Sequence, residues 1–277
     1  MARPDAARRL VVNADDFGRS SSVNHAVLQA HRDGILTTAS LMVNEPGCDE
    51  AVAMARENPR LGVGLHLVFS HGRSALPPEK IPGLVNARGE FSNRAGATGF
   101  RYFVGRELHE QLRLELHAQF EKFRATGLPL DHVNGHLHFH LHPTIFRILM
   151  ADAVQLGIRR MRLTRDPFWL NARLAGGEWL YRINHAVIFG LLAARSRPLL
   201  NRQKIQYPRR VFGLLQNGRV DEPYVGRLLS RLPHGDSELY SHPSLEEFKH
   251  EYEALVSPRI RQLITGQGIQ LIRYQDL

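Results

Sequence analysis

The amino-acid sequence predicts an α/β fold in which parallel strands curl into one barrel. Apolar runs such as residues 10–13 and 61–68 alternate with helical patterns such as residues 106–125, which is typical of strand–helix–strand units. Polar residues suited to catalysis follow the carboxyl ends of several predicted strands, where a parallel barrel assembles its site. No internal repeat or interdomain linker interrupts the chain, so we expect a single domain over residues 1–277.

The individual elements follow from apolar periodicity and from capping residues. Strands are expected at residues 10–13, 35–43, 61–68, 131–143, 160–164, 211–215 and 238–243, with residues 269–273 closing the chain. Helices are expected at residues 23–32, 50–57, 106–125, 144–155, 185–194 and 222–232, and at residues 244–265 behind a capping box. Residues 70–99 are rich in Gly, Pro, Arg and Asn and are expected to form a long loop over the site.

The composition is that of a globular protein with a strong positive charge. Hydrophobic residues make up 43% of the chain, which argues against disorder. The 36 Lys and Arg residues outnumber the 27 Asp and Glu residues, giving a formal net charge of +9. This charge favours an acidic partner: nucleic acid, an anionic membrane surface or a phosphorylated ligand. Because no nucleic-acid-binding pattern is present, we expect no nucleic-acid partner.

The location is predicted to be cytoplasmic. The lone Cys48 excludes an internal disulfide and suits a reducing compartment. Residues 1–9 lack the apolar region of a secretion signal, and no apolar run approaches the roughly 18 residues that span a bilayer. Peripheral contact with the inner face of the membrane is compatible with the basic charge.

A histidine-rich segment, residues 131–143, dominates the middle of the chain. Read as an extended strand, it projects His132, Asn134, His136, His138, His140 and His142 from one face and apolar residues from the other. Core packing does not explain a face of imidazoles, whereas neutral imidazole is a common metal ligand. A surface histidine run or an expression tag is the alternative, but a tag would sit at a terminus. We therefore predict a metal or catalytic role for at least one of these histidines.

Two adjacent carboxylates, Asp15 and Asp16, follow the first predicted strand. Such a pair is costly unless a cation or a shared proton relieves the repulsion. One carboxylate can bind a metal while the other serves as a base toward the metal's water. The alternative is that one of them only caps the following helix.

Single histidines follow two further predicted strands. His66 lies near the end of residues 61–68, where Gly62 and Gly64 leave space for a close approach, and His242 lies at the exit of residues 238–243. Alone, His66 would more often be a hydrogen-bonded core histidine than a ligand. Together with the Asp pair and the His136/His138 pair, these residues form a set suited to metal-assisted hydrolysis of an amide or ester.

The segment 166–207 interrupts the alternation of strands and helices. Aromatic residues, including Phe168, Trp169 and Trp179, precede an apolar helix and a group of basic residues. This mixture suits a membrane-surface anchor or a lid over an apolar substrate. An ordinary helix packed on the barrel, with solvated arginines, is the alternative.

Four motifs resemble the YdjC family of carbohydrate deacetylases. They are Asn-Ala-Asp-Asp-Phe-Gly at residues 13–18, Gly-Leu-His-Leu at residues 64–67, the His-x-His-x-His of residues 136–140, and His242-Pro243. They occur in the family's order over nearly the whole chain. Many members carry Asp-Ser before the histidine run, where this chain has Asn134-Gly135.

The resemblance implies a distorted TIM-like (β/α) barrel of the polysaccharide-deacetylase type, which removes acetyl groups from N-acetylated amino sugars with one divalent metal. By position, Asp16, His66 and His136 would bind the metal, Asp15 would be the base and His242 the acid. His138 would contact substrate, and the aromatic residues of the insertion, Phe168, Trp169 and Trp179, are further substrate-binding candidates. The histidine ligands favour Zn²⁺, and Mg²⁺ is the alternative.

Within the family the chain is most similar to the hopanoid-biosynthesis branch (HpnK). This similarity rests on residues 212–215, residues 238–243 and the insertion. It implies deacetylation of an N-acetylglucosaminyl group on a hopanoid lipid. The alternatives are a deacetylase of soluble chito-oligosaccharides, another metallohydrolase such as an amidohydrolase or phosphatase, and a non-catalytic basic barrel that binds membranes.

Overall fold

The computed structural model describes residues 7–277 and contains one parallel sheet of seven strands. The strands are β1 (Arg8–Phe17), β2 (Thr38–Leu41), β3 (Gly62–Leu67), β4 (Val133–Gly135), β5 (Arg210–Phe212), β6 (Gly235–Ser241) and β7 (Gln270–Ile272). Residues 1–6 lie outside the described residues. The predictions of a single domain over residues 1–277 and of no secretion signal in residues 1–9 both include them.

The central strand of the sheet is β1. The strand order is β4-β3-β2-β1-β6-β5, and every pairing is parallel. One edge of β1 pairs with β6, while β7 pairs with Arg9–Val11 and β2 with the later part of β1. Because all neighbours run parallel to β1, the carboxyl ends of the strands collect at one rim.

The gap between β4 and β5 is bridged by the segment predicted as the strand at residues 160–164. It forms no regular strand, but its backbone bonds to both neighbours. The Val133 N–H donates to Arg160 O (3.1 Å), and the Val133 carbonyl oxygen accepts from Arg162 N (3.0 Å). On the other side, Val211 N donates to Arg165 O at 3.1 Å. These bonds link the two ends of the sheet, and the predicted distorted α/β barrel is confirmed.

Ten α-helices of the described chain accompany the sheet. They are α1 (Ser21–Asp33), α2 (Cys48–Glu57), α3 (Ala95–Val104), α4 (His109–Ala125), α5 (Pro143–Leu156), α6 (Phe168–Leu174), α7 (Trp179–Arg202), α8 (Glu222–Ser230), α9 (Lys249–Val256) and α10 (Pro258–Gly266). Their apolar faces form a continuous core with the strands, as Val27 and Leu116 do with Leu10 and Leu65. Among these helices none has the length and hydropathy needed to cross a membrane.

The prediction of one long strand over residues 131–143 was wrong. The strand β4 ends at Gly135, and a 3₁₀ segment, His136–Leu141, follows. Within it Leu137 (φ 50°) and His138 (φ 59°) adopt the left-handed conformation, which turns the chain and breaks the two-residue alternation. The six polar side chains therefore do not share one face.

Two further predicted boundaries also changed. The helix expected over residues 244–265 begins at Lys249 and divides into α9 and α10, because Pro258 starts a new helix whose N-cap is the Ser257 side chain. The long loop expected over residues 70–99 contains a 3₁₀ turn at Pro78–Lys80 and ends in the first turns of α3.

Candidate metal centre and active site

The end of β1 brings both aspartates to the same place. Successive side chains of a regular strand point to opposite faces, but the β1–β2 register shifts between Ala14 and Phe17. Asp16 adopts a left-handed conformation (φ 64°) within this irregularity. Both carboxylates are buried and line one cavity. Neither caps α1, whose N-cap is Ser20.

Asp16, His66 and His136 form a compact cluster of possible metal ligands. One ligand atom from each lies within 4.8 Å of the others. Asp16 Oδ1 is 2.9 Å from His136 Nδ1 and 3.2 Å from His66 Nε2. A carboxylate and two imidazoles suit Zn²⁺ and related ions, and such a set leaves coordination positions for water and substrate.

The environment of His66 fits a cation. Its Nδ1 lies 2.7 Å from Asn134 Oδ1, an oxygen that only accepts, so the ring proton sits on Nδ1. The opposite nitrogen, Nε2, is buried and has no hydrogen-bond partner in the described chain. Buried polar atoms are rarely left unpaired, and a bound cation would satisfy this one.

The charge state of Asp16 also suits cation binding. Burial would raise the pKa of its carboxyl, but the charge and hydrogen bond of His136, together with His66, outweigh it and hold the pKa well below the usual range. Arg19 makes a further ion pair with Asp16 Oδ2 at 3.0 Å. The carboxylate is therefore ionised at neutral pH.

Asp15 is anchored in a different way. Its Oδ1 accepts hydrogen bonds from Asn13 Nδ2 (2.9 Å), Asn134 Nδ2 (2.9 Å) and Arg162 Nη2 (3.1 Å), whereas Oδ2 accepts only from Arg162 Nη1 (2.6 Å). Burial tends to raise the pKa of Asp15, but Arg162 and then His66 lower it far below its usual value. Because Oδ2 accepts only one hydrogen bond, it retains acceptor capacity, and Asp15 lines the cavity.

Arg162 is a site residue that the sequence reasoning missed. It is fully buried, and its guanidinium bridges Asp15 and Glu238, with Nη2 2.7 Å from Glu238 Oε1. Tyr240 lies under it, 4.3 Å from ring centroid to Cζ, and Tyr274 donates to the other oxygen of Glu238. The available signal was the position of Arg162 between Met161 and Leu163 in a predicted strand, because a charged side chain buried in a strand needs a partner.

His242 lines the same cavity, just beyond the end of β6. Its backbone N–H donates to Glu251 Oε2 at 2.6 Å, and its Nδ1 lies 3.8 Å from the same oxygen. Glu251, a second residue that sequence reasoning missed, is fully buried on α9 and also accepts from Val220 N. With a carboxylate on the Nδ1 side, Nε2 is the nitrogen left for a substrate.

The remaining histidines of the histidine-rich segment have structural partners. His138 lines the cavity, but its ring nitrogens lie 3.0 Å from Tyr240 Oη and 3.3 Å from Thr164 Oγ1. His140 Nε2 lies 3.0 Å from the Arg162 carbonyl oxygen. The space beside Gly64 is taken by the ring of His132, which would lie 2.5 Å from an added Cβ. Gly64 therefore admits a core histidine rather than a substrate.

The cavity above the cluster has a volume of about 560 Å³ and a largely apolar wall. Helix α7 supplies much of this wall through Tyr181, His185, Ile188, Phe189 and Leu192. The predicted substrate contacts Phe168, Trp169 and Trp179 are not part of it. Phe168 and Trp169 line an adjoining groove, and Trp179 stacks on Arg182 at 4.7 Å.

Comparison with known proteins identifies the family. A model of the family described as YdjC-like protein matches residues 9–266. The chain belongs to the YdjC-like family. Among YdjC-like relatives, a chitooligosaccharide deacetylase of Proteus mirabilis (strain HI4320) is 36% identical over 292 residues, covering 98% of this chain and 99% of the relative.

Other similarities are shorter or more distant. A carbohydrate deacetylase of Geobacillus stearothermophilus is 40% identical over 160 residues, covering 57% of this chain and 62% of the relative. The matched stretch thus spans less than two thirds of that relative's length. A solved structure from Enterococcus faecalis V583, described as a cellobiose-phosphate cleavage protein, aligns with a TM-score of 0.74 at 21% identity, covering 98% and 99% of the two chains. At this identity the likeness supports the fold alone.

Proposed function

We propose that this YdjC-like chain is a divalent-metal-dependent deacetylase that hydrolyses the acetamido group of an N-acetylglucosaminyl compound. The observation that carries the proposal is the cluster of Asp16, His66 and His136 beside a second, separately anchored carboxylate, Asp15. The names of the relatives, carbohydrate deacetylase and chitooligosaccharide deacetylase, support the same reaction class.

Asp16, His66 and His136 would hold the metal ion in this proposal. A bound divalent ion supplies Lewis-acid polarisation of the acetyl carbonyl and acidifies the attacking water. We favour Zn²⁺ because two of the three ligands are imidazoles, with Mg²⁺ as the alternative. The amide of Asn134 fixes the ring of His66 so that Nε2 points to the ion site.

Asp15 acts as the general base. Its Oδ2 takes a proton from the attacking water while Oδ1 stays bound by Asn13, Asn134 and Arg162. Arg162 fixes the carboxylate in place, and the free lone pair of Oδ2 gives the water a defined direction of approach. The proton that Asp15 receives leaves again when the product acetate departs.

His242 acts as the general acid. Breakage of the carbon–nitrogen bond requires a proton on the departing amine, and His242 lies in the wall of the same cavity. Glu251 lies on the Nδ1 side of the ring, 3.8 Å away, so Nε2 is the nitrogen that faces the substrate in this proposal. His138 contributes to the cavity wall and contacts the sugar through its ring face.

The substrate in this proposal is lipid-linked, and a glycosylated hopanoid is the preferred candidate. Helices α3 and α7 both supply residues to the cavity wall, and both carry exposed apolar side chains. They are Phe100, Phe103, Val104, Leu180, Ile183, Val187, Ile188 and Leu191, between 47% and 76% exposed. Such side chains favour contact with lipid, and Trp169 and Trp179 are exposed as well. We propose peripheral contact with an anionic membrane on its cytoplasmic side, with no nucleic-acid partner.

Parallel assays of two substrates test this proposal. Acetate release is measured from an N-acetylated chito-oligosaccharide and from an N-acetylglucosaminyl lipid in vesicles. Preference for the lipid-linked substrate supports the full proposal, whereas release mainly from the soluble sugar retains the deacetylase and removes the lipid. Phosphate release from a test ester, or membrane binding without any turnover, would instead favour another metallohydrolase or a non-catalytic barrel.

A further inference from the structure

A second cavity, of about 450 Å³, is lined by six residues, four of which are arginines. Its lining consists of Arg165, Pro167, Arg197, Tyr207, Arg209 and Arg210, and none of these residues lines the candidate active site. The four arginines come from three parts of the chain: the segment that bridges β4 and β5, helix α7, and the start of β5. Tertiary folding, rather than one run of sequence, assembles this charge.

The four arginines lack acidic partners. No carboxylate lines the cavity, and within residues 7–277 none of the four forms an ion pair. Arg210 donates from Nη1 to the His234 carbonyl oxygen at 3.1 Å, which orients its guanidinium without neutralising it. Arg9, Arg162 and Arg273, which are also buried or half-buried, each bind a carboxylate, whereas this cavity concentrates positive charge without such compensation.

The arginines also affect one another. Arg197 and Arg210 are half-buried, and burial together with the neighbouring charges of Arg209 and Arg165 lowers the pKa of Arg210. Like charges brought together in a partly desolvated cavity are unfavourable unless an anion binds among them. Guanidinium groups present paired donors that match the oxygens of a phosphate.

We propose that this cavity, which we call the arginine cavity, binds a phosphate group. The proposal concerns a site separate from the deacetylase centre and does not depend on the proposed reaction. The phosphate can come from a free anion or from a phospholipid headgroup. Arg165 and Pro167 also line an adjoining groove with Phe168, Trp169 and Phe189, so a lipid chain has an apolar surface directly beside the arginines.

Binding measurements on the full-length chain test the site. The probes are inorganic phosphate, followed by calorimetry, and vesicles of phosphatidylcholine with or without phosphatidylglycerol, followed by co-sedimentation. The test variant is Arg197→Gln/Arg209→Gln. The control is Arg147→Gln/Arg261→Gln, which removes the same charge from exposed positions on α5 and α10.

We expect the wild type and the control to bind at least one phosphate probe with affinities within about twofold of each other. The test variant should bind about tenfold or more weakly, because charge-assisted hydrogen bonds to phosphate are lost. Binding of inorganic phosphate identifies a free-anion site, and binding only to phosphatidylglycerol vesicles identifies a headgroup site. Equal weakening in both double variants, or no binding of either probe by the wild type, would overturn the proposal.

A single substitution tests the site even if the double variant does not fold. Arg209 is exposed, so Arg209→Gln should leave the unfolding temperature and the turnover of a soluble substrate unchanged. We expect this variant to weaken phosphate binding by several-fold. Wild-type affinity in a folded Arg209→Gln protein would remove Arg209 from the site and contradict the arginine cavity as described.

Discussion

The side-chain amide of Asn134 forms hydrogen bonds with residues of three different strands at the candidate site. Asn134 accepts from His66 Nδ1 and donates to Asp15 Oδ1 and to Ser40 Oγ. The same side chain thus orients a proposed metal ligand and the proposed base. The amide of Asn134 can serve both neighbours because it has an acceptor and donors. A carboxylate could accept from His66 but would repel Asp15.

Substitution of Asn134 should separate these two effects. We expect Asn134→Ala to weaken metal binding about 10- to 100-fold, because His66 loses the acceptor that fixes its ring. Asn134→Asp should bind metal close to wild type but turn over slowly, since its charge faces Asp15. Metal titration and turnover on the same preparations check both. Unchanged metal affinity in Asn134→Ala would exclude the orienting role.

Asp15→Asn tests the proposed base. We expect turnover to fall at least roughly 100-fold, the usual scale for a positioned base, while metal binding stays within a few-fold of wild type. Arg162 keeps its ion pair with Glu238 in this variant, so the fold should survive. Turnover and metal content are measured together. Near-wild-type turnover would remove Asp15 from the mechanism.

The sequence predicted the residues of the cluster better than their surroundings. Asp15, Asp16 and His66 stand out at or near the ends of predicted strands and His136 in the histidine-rich segment, whereas the choice of metal ligands among them came from the family resemblance. Arg162 and Glu251 were not recognised. The role of Arg162 depends on its contact with Asp15, which is 147 positions away in the sequence. The role of Glu251 depends on the packing of its helix behind His242. A single sequence does not reveal such pairings.

At the scale of elements, strands buried on both faces were predicted well and turns poorly. β2 and β3 lie inside their predicted ranges, because short apolar runs define them. The strand predicted for the histidine-rich segment was wrong, because Leu137 and His138, which adopt the left-handed conformation, are not glycines and so do not indicate a turn in the sequence. Helix α7 proved longer than predicted, with Pro198 inside it.

The outer face of α7 is predicted to contact lipid. Val187 and Leu191, one helical turn apart, are 56% and 68% exposed and do not line the active-site cavity. We expect Val187→Ser/Leu191→Ser to reduce turnover of a lipid-linked substrate about tenfold, since two apolar side chains no longer enter the lipid. Turnover of a soluble substrate should not change.

The matched control for that variant is Val154→Ser on α5, where the side chain is 92% exposed. Vesicle co-sedimentation and turnover are compared for the two variants and the wild type. Equal lipid-linked turnover in all three proteins would contradict a membrane role for α7 and favour an ordinary packing helix.

At the scale of the whole molecule, buried histidines should make the metal-free fold sensitive to acid. Burial, followed by the charge of Arg162, lowers the pKa of His140 from 6.5 to about 3. His31, His71, His138 and His142 are lowered in the same direction, mainly by burial. Below pH 6.5 these histidines bind protons in the unfolded chain but not in the folded one. The free energy of unfolding therefore decreases as the pH is lowered.

Urea unfolding of chelated protein between pH 7.5 and 5 measures this loss. His140 alone should account for about 2 kcal/mol between pH 6.5 and 5, at about 1.4 kcal/mol per pH unit. Groups that act in the opposite sense include Asp166, whose pKa burial raises to about 7, Glu115, whose pKa is also raised by burial, and His136, whose pKa is raised because Asp16 outweighs its burial. His140→Asn should flatten the pH dependence, and the exposed His250→Asn should not. An equal slope in both variants would contradict this assignment.

Metal removal tests the central claim most directly. Protein stripped with a chelator is assayed for acetate release before and after addition of one equivalent of Zn²⁺ or Mg²⁺, beside His66→Ala treated identically. We expect the stripped wild type to be inactive and to recover with a single bound ion, and His66→Ala to bind little metal and to stay inactive. Full activity of the stripped wild type, or full metal occupancy of His66→Ala, would contradict the proposed metal centre.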